Sequence, residues 1–409
     1  MTRNNNTIRK GALPCIPAPS TFRRTTRSIT VLGSCVLLAL FLTGCWSQRE
    51  LSKLAIVVGT ALDIGDQPDT LKLTAQVVKA AEMGASAGSQ KSSSGGKAYV
   101  NMSYTDKSVL SAVRGISHMQ NRRLYFSHNK VLVISSELAK LGMGKGLDTF
   151  TRDYESRMNI QLLISKGKAF KILEEDVNLE KVPSLHLFGM MENQKLNSET
   201  AIVTLRDYNI ATLSGSTAPV VPIVEMRKEK VRLYGTAVFK KGRMIGELDK
   251  PQTRGLLWVT DRTRGGALTV DTEWGQVALE YLHSNSILKP VRTKDGAIRM
   301  ELTVNEEGAI QSNETTEDLS RLENVEKLKE LMKEAIRSDI ENALGQARSL
   351  SADVFGFGEI IRREYPKEWE AMKNDWDTMF PKIELDIRVN VKLNSTGGLV
   401  RPVIPGGAQ

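Results

Sequence analysis

The feature that most constrains this chain is an uncharged apolar run near its N-terminus. Residues Ile29 to Leu42 carry no charged side chain, and Arg23, Arg24 and Arg27 stand just before them. A basic segment followed by a short apolar core is the pattern of a secretory signal. A membrane-spanning helix needs about 20 apolar residues, and this run holds about 14. The run therefore favours export of the chain over a permanent membrane span.

The apolar run ends in Leu42, Thr43, Gly44 and Cys45. A leucine, a small residue, a glycine and a cysteine in this position form a lipobox, the site at which bacterial lipoproteins are acylated and cleaved. The sequence predicts that the mature chain begins at Cys45 with diacylglycerol on its sulfur. Each buried methylene contributes about 0.8 kcal/mol, so two or three acyl chains anchor stably. The alternative is an uncleaved N-terminal anchor in which this cysteine has no role.

Length and charge describe the chain that would remain after cleavage. Of 409 residues, 365 follow position 44. A chain of this length is longer than a typical domain with a single hydrophobic core, so we expect two or three domains. The net charge of +9 overstates the charge of the mature chain. Residues 1–44 carry six basic side chains and no acidic one, so the net charge of residues 45–409 is +3. That small excess does not favour nucleic acid as a partner.

The cysteines and histidines indicate neither a disulfide framework nor a metal site. Cys15, Cys35 and Cys45 all lie in the targeting segment, so the mature chain keeps only the cysteine predicted to be acylated. The histidines lie far apart in sequence and have no paired ligand spacing. We therefore expect no metal and no cofactor. The four histidines are His118, His128, His186 and His283.

Strands that alternate with helices predict the α+β fold class. We expect three consecutive mixed α/β domains, each a mainly antiparallel or mixed sheet with packed helices. The predicted divisions are a lipoprotein signal peptide over 1–44, an N-terminal domain over 45–200, a middle domain over 201–285, a C-terminal domain over 286–400 and a tail over 401–409.

Four segments carry most of this interpretation. Leu54 to Leu62 is a short apolar run typical of a buried strand, and Ile383 to Leu393 alternates like a strand with one wet face. Leu322 to Ser349 has the apolar stripe of a long helix that faces a core, with a coiled coil as the alternative. Glu82 to Lys97 is rich in Gly, Ser, Ala and Lys, which predicts a mobile loop.

Two short motifs resemble catalytic ones. Gly84-Ala-Ser86-Ala-Gly88 matches the nucleophile elbow of serine hydrolases, but it lies inside the low-complexity segment and no helix follows it. Gly142, Gly144 and Gly146 around Lys145 suggest a phosphate-binding loop, but the Walker spacing and the following hydroxyl residue are absent. We interpret the second motif as a turn between two helices and expect no catalytic residue.

The segment after the long helix predicts a turn packed with aromatic side chains. Gly356 and Gly358 flank Phe357 where the chain must turn back, and glycine tolerates a positive φ there. Trp369 and Trp376 are seven residues apart, two helical turns, so both can face the same sheet. We expect these tryptophans, together with Phe355, to be buried core residues and not a ligand site.

Three blocks occur in a characteristic order along the chain. They are the mature start Cys45-Trp46-Ser47-Gln48-Arg49-Glu50-Leu51, the central hairpin Leu233–Lys240 with Ile245–Leu248, and the segment Asp353–Gly358 with Pro366, Trp369, Trp376 and Phe380. Together they resemble the Ger(x)C lipoproteins, the C subunits of bacterial spore germinant receptors, and His128 to Ile134, Arg152 and Arg157 also sit as in that family. Ser47 departs from the aspartate usual in the first block, and the polar lead before the apolar run is unusually long, which leaves the start codon open.

The resemblance implies a non-enzymatic α+β protein on the outer face of the spore's inner membrane. It implies association with two integral-membrane partners, the A and B subunits, in a receptor that starts germination when nutrients appear. Whether this subunit contacts the nutrient stays open. Cys45 is the one residue whose chemical role the resemblance transfers.

Two other functions remain as alternatives. The first is a solute-binding lipoprotein that supplies a transporter, which would need two lobes and a hinged cleft. The second is an anchored hydrolase, which only the Ser86 motif supports. One deep cleft would favour the solute-binding protein, a buried nucleophile would favour the hydrolase, and the presence of neither would favour a receptor subunit.

Overall fold

The computed structural model describes residues 51–79 and 97–394, apart from positions 154, 178, 195, 196, 316 and 320. Cys45, Ser86, most of the predicted loop 82–97 and the tail 401–409 lie outside these residues. The described chain forms two β-sheets with helices packed on them, so the predicted α+β class is confirmed.

The first sheet has nine strands in the order β3-β2-β1-β5-β6-β7-β8-β9, with β4 paired to the start of β1. Strands β1, β5, β6 and β7 are parallel, and the outer pairs are antiparallel. The strands are β1 (Leu54–Ile64), β2 (Leu71–Val78), β3 (Tyr99–Asp106), β4 (Arg123–Tyr125), β5 (Val131–Ser135), β6 (Gln161–Ser165), β7 (Val220–Arg227), β8 (Lys230–Lys240) and β9 (Arg243–Leu248).

Helices cover both faces of the parallel centre of this sheet, which explains why its strands are almost continuously apolar. On one face Leu132 packs with Ile116 and Phe150, and on the other Val133 packs with Ile172 and Leu187. The helices are α1 (Val109–His118), α2 (Ser136–Leu141), α3 (Gly144–Arg152), α4 (Ala169–Ile172), α5 (Pro183–Asn193) and α6 (Leu205–Ser214). The predicted turn between two helices lies at Gly142 and Met143, which join α2 to α3, whereas Gly144, Lys145 and Gly146 form the first turn of α3.

The second sheet has four strands in the order β10-β11-β12-β13. The first three are antiparallel, and β13 runs parallel to β12. β13 shows the predicted alternation, because Ile387 and Val389 are buried and Arg388 and Asn390 are exposed. The strands are β10 (Gly266–Thr272), β11 (Gly275–Arg292), β12 (Ile298–Asn313) and β13 (Leu385–Asn394).

The long helix packs on the second sheet and has the predicted bounds. Its stripe, which includes Leu328, Met332, Ile336 and Ile340, is buried in the core of this part, so the core-facing interpretation is confirmed. The helices here are α7 (Lys250–Val259), α8 (Leu322–Ser349), α9 (Phe357–Glu364), α10 (Pro366–Met372) and α11 (Trp376–Met379).

Helix α7 connects the two cores. Leu257 packs in the core of the first sheet, and Trp258 packs in the core of the second. A Cβ at Gly255 would lie 2.0 Å from the carbonyl oxygen of Asp339, so this glycine allows α7 and α8 to cross closely. At the same crossing Arg254 donates two hydrogen bonds to Asp339, at 2.8 and 3.1 Å.

The observed sheets do not break at the predicted domain boundaries. The first sheet contains strands on both sides of residue 200, and β11 continues through residue 285. Helix α7 then joins the two sheets through its side chains. The division into three domains stays a prediction.

Candidate functional site

Cys45, the residue predicted to carry chemistry, lies outside the described residues, six positions before the first of them, and its acylation stays a prediction. Strand β1 begins at Leu54, nine positions after this cysteine.

The described residues contain a cavity of about 810 Å³ between α1, α3 and the segment around β4. It lies where α1 and α3 cover the sheet near the start of β1, because Leu54, Ala55 and Ile56 pair with β4. The lining residues are Val109, Leu110, Val113, Arg114, Ser117, Gln120, Asn121, Arg122, Arg123, Leu124, Phe126, Asp148, Thr149, Phe150, Arg152, Asp153, Glu155 and Ser156.

The deeper part of this cavity is apolar. Val109, Leu124, Phe126 and Phe150 are buried members of the sheet's core, and the two phenylalanine rings meet edge to face at 6.0 Å. Leu110, on α1, lines the cavity but remains 48% exposed. The cavity therefore combines an apolar floor with an open rim.

Each carboxylate on the lining has a partner. The buried Glu155 accepts a hydrogen bond from Arg123 at 2.9 Å, and Asp148 accepts one from Arg152 at 2.8 Å. Asp153 accepts from the backbone N–H of Glu155 at 3.1 Å. Arg123 and Arg152 therefore compensate the charges of Glu155 and Asp148, whereas Asp153 keeps its charge, because its partners are neutral donors.

Two lining arginines have no such partner. Arg114 on α1 and Arg122 before β4 are exposed, and neither forms a hydrogen bond or ion pair with any part of the chain that the structure describes. The surplus charge of the rim is therefore positive, and the cavity suits a molecule with an anionic group and an apolar portion. Of Arg152 and Arg157, the two arginines that match the family pattern in the sequence, only Arg152 lines this cavity.

The segment after α8 is organised by a buried carboxylate. Asp353 accepts hydrogen bonds from the backbone N–H groups of Phe355, Gly356, Phe357 and Gly358, at 3.2, 2.9, 3.0 and 2.8 Å. Burial raises the pKa of Asp353 to about 6, while the four N–H groups oppose that rise. The aspartate therefore satisfies the first N–H groups of α9, while the sequence interpretation explained this turn only by the positive φ that glycine tolerates.

The aromatic side chains of this segment fill a core, as predicted. Phe355, Phe357, Trp369 and Trp376 are at most 6% exposed. The two tryptophan rings meet edge to face at 5.2 Å. Gly356 has the predicted positive φ of 77°. Gly358 has no positive φ. Its constraint is the indole of Trp376, which lies 2.9 Å from the position that a Cβ at Gly358 would occupy.

The other candidate residues do not converge. The four histidines lie on α1, the 3-10 turn Phe126–His128, α5 and β11. Among the residues that the structure describes, no group of three or more metal-binding side chains is close enough to hold an ion. Over the same residues, no helix is both long and apolar enough to cross a membrane.

Comparison with known families matches nearly the whole described chain. Residues 47–226 match the family described as "Spore germination protein N-terminal domain", and residues 234–397 match "Spore germination B3/GerAC like, C-terminal". The chain therefore belongs to the GerAC-like family of spore germination proteins, which confirms the resemblance seen in the sequence.

Particular relatives share this full length. The spore germination protein YndF of Bacillus subtilis (strain 168) is 28% identical over 396 residues, covering 91% of this chain and 97% of that protein. Spore germination protein KC of the same organism is 26% identical, covering 90% and 96%. The crystal structure of the GerBC protein shares the fold with a TM-score of 0.55 at 18% identity, covering 82% of this chain and 97% of that one.

Proposed function

We propose that this chain is the lipid-anchored C subunit of a spore germinant receptor, tethered through Cys45 and required for nutrient-triggered germination. The lipobox, Leu42 to Cys45, is the observation that carries the proposal, since it immediately precedes the matched family region that begins at residue 47. Export followed by acylation would leave the two sheets outside the cytoplasm, on the outer face of the spore's inner membrane.

The proposed partners are the two integral-membrane subunits of the receptor, A and B. A receptor needs a part that spans the membrane, and the lipid anchor would hold this chain beside such a part. A tether of eight residues between Cys45 and β1 would raise the local concentration of one protein near the other. The proposed role is association and not catalysis, and no residue is assigned to a reaction.

The experiment that tests the anchor replaces Cys45 with serine, because a hydroxyl does not replace the thiol in diacylglyceryl transfer. Cys35→Ser is a matched control, since Cys35 lies inside the apolar run and outside the lipobox. Each variant is produced in a sporulating host and followed by immunoblot, detergent phase partition and germination. We expect Cys45→Ser to retain its signal or to appear in the medium, with weakened germination, and Cys35→Ser to behave as the wild type.

A Cys45→Ser protein that is processed to normal size and still partitions with the membrane would contradict the lipid anchor. Association is tested separately by isolating a tagged chain from spore membranes and identifying the proteins that accompany it. Two multispan proteins in that isolate support the receptor role. A set of transporter permease subunits would instead support the solute-binding alternative.

A further inference from the structure

We propose that the cavity between α1 and α3 binds the headgroup of an anionic phospholipid in the membrane to which Cys45 tethers the chain. This inference rests on the proposed function for the presence of that membrane. The cavity itself is defined by the described residues of α1, α3 and β4.

The first argument is position. Arg123 and Leu124, which line the cavity, pair with Leu54 and Ala55 at the very start of β1. The chain enters the fold from Cys45 at this point, and nine residues can extend over no more than roughly 30 Å. A membrane anchored at Cys45 would therefore stay within roughly 30 Å of the start of β1, which gives its lipids a high effective concentration near this end of the sheet.

The second argument is charge. Asp148 and Glu155 are paired with arginines of the lining, while the side chains of Arg114 and Arg122 have no partner among the residues described. With Asp153 counted, four arginines and three carboxylates leave the lining one net positive charge. A guanidinium binds phosphate oxygens through paired N–H donors in a planar fork. Two such groups on one rim are complementary to a phosphodiester.

The third argument is the apolar surface beside the arginines. Leu110 and Val113 of α1 line the cavity, and Leu110 is 48% exposed. The floor is formed by buried side chains such as Phe126 and Phe150. A phospholipid presents a phosphate and, within a few ångströms, its glycerol and acyl carbons. An acidic peptide would match the arginines but would leave this apolar surface uncovered.

The test uses the mature lipidated protein purified in a non-ionic detergent. Phosphatidylglycerol or phosphatidylcholine is added, and bound lipid is counted by native mass spectrometry. The variant Arg114→Gln/Arg122→Gln removes the two free guanidinium groups. The control Arg227→Gln/Arg321→Gln removes the same charge from exposed arginines outside the lining. Thermal melting of each protein reports whether it is folded.

We expect the wild type and the control to retain phosphatidylglycerol in preference to phosphatidylcholine. An arginine near an anionic lipid surface contributes about 1 kcal/mol, so losing two predicts about thirty-fold weaker retention by the cavity variant. Equal retention of both lipids by the wild type, or undiminished retention by the folded cavity variant, would overturn the proposal.

Two further outcomes would assign the cavity to another ligand. Displacement of phosphatidylglycerol by an equal concentration of inorganic phosphate would show a site for free anions. A cavity variant that keeps its lipid but no longer accompanies its membrane partners would show a protein contact. Because lipid is counted on purified protein, failure here leaves the Cys45→Ser result untouched. Failure of the anchor is recognised separately, since the mass of the purified protein would then lack the covalent diacylglycerol.

Discussion

Two regions of this molecule both contain clustered aromatic side chains, but one is tightly packed and the other is open. In the segment after α8, aromatic rings pack against one another around Asp353, and little space is left. Between α1 and α3, aromatic side chains form only the floor of a cavity of about 810 Å³ whose rim carries unpaired arginines. The first region stabilises the fold and the second is open to a ligand. Substitutions in the first should therefore change the free energy of unfolding, and substitutions in the second should change binding.

The largest effect is expected from Trp376→Ala. The indole is 5% exposed and contacts Trp369 and Phe380, so its loss should lower the free energy of unfolding by roughly 3–5 kcal/mol. That is a large share of the ~5–15 kcal/mol that holds a typical domain. Immunoblots of spore membranes should show less protein, in parallel with weaker germination. A variant of normal abundance and thermal stability that fails to support germination would place Trp376 on a functional surface instead.

A second prediction concerns Glu306, a 2% exposed carboxylate on β12 that lies near the Ser284 hydroxyl and the backbone N–H of Leu282. Burial raises its pKa to about 8 from 4.5, so between these values the folded state holds a proton that the unfolded state has lost. Stability should therefore fall as pH rises, by about 1.4 kcal/mol per unit at the steepest.

The useful window for this measurement is pH 6.5 to 8, above the pKa of Asp353. Urea unfolding at several pH values should show the decline in the wild type. Glu306→Gln, which resembles the protonated form, should remove it. An equal decline in both proteins would assign the pH dependence to other groups.

A third prediction separates the two glycines of the aromatic segment. Alanine at Gly356 has room, 3.4 Å from Thr217, but must adopt a positive φ, at a cost of about 1–2 kcal/mol. Alanine at Gly358 instead presses on the indole of Trp376 and on the carbonyl oxygen of Ser216, at about 1–3 kcal/mol.

The two mechanisms can be told apart with Trp376→Phe as a second change. The smaller ring should relieve Gly358→Ala, with a coupling energy of at least about 0.5 kcal/mol in a double-mutant cycle of urea unfolding. Gly356→Ala should add to Trp376→Phe without coupling. Additive behaviour at both glycines would mean that the contact between Gly358 and the indole does not limit packing.

The smallest effect on stability is expected at the cavity rim. Leu110→Ala and Arg114→Gln remove exposed side chains, so each should change the free energy of unfolding by less than about 0.5 kcal/mol. Thermal melting checks this directly. A loss comparable with that of Trp376→Ala would remove the contrast between the two regions and make the cavity part of the structural core.

Local patterns allowed much of the fold to be predicted. The stripe of α8 repeats over 28 residues, and the observed helix has the predicted bounds. Asp249 followed by Pro251 is typical of a helix start, and α7 begins there with a reciprocal capping box between Asp249 and Gln252. The sequence also predicts a helix cap at Asp106, and this is wrong, because Asp106 accepts from its neighbour Lys107 and the cap of α1 is Ser108.

Other elements were missed where local patterns are weak. Helix α5 has large apolar residues on more than one side, since it is packed into the fold, and therefore lacks a clear amphipathic period. The long strand β11 carries many polar residues on its exposed length and gives no continuous apolar signal. Both elements are recognised only when the surfaces that they pack against are known.

The amino-acid order alone determined the lipobox at Cys45, the α+β class and the stripe of α8, because each depends on residues close together in the chain. Only the tertiary structure decided which charges stay unpaired. Arg123 meets Glu155 across 32 positions, and no pattern in either segment predicts that contact. The cavity and its free arginines exist because helices distant in sequence are placed over one end of a sheet, and such placement is a property of the packed whole.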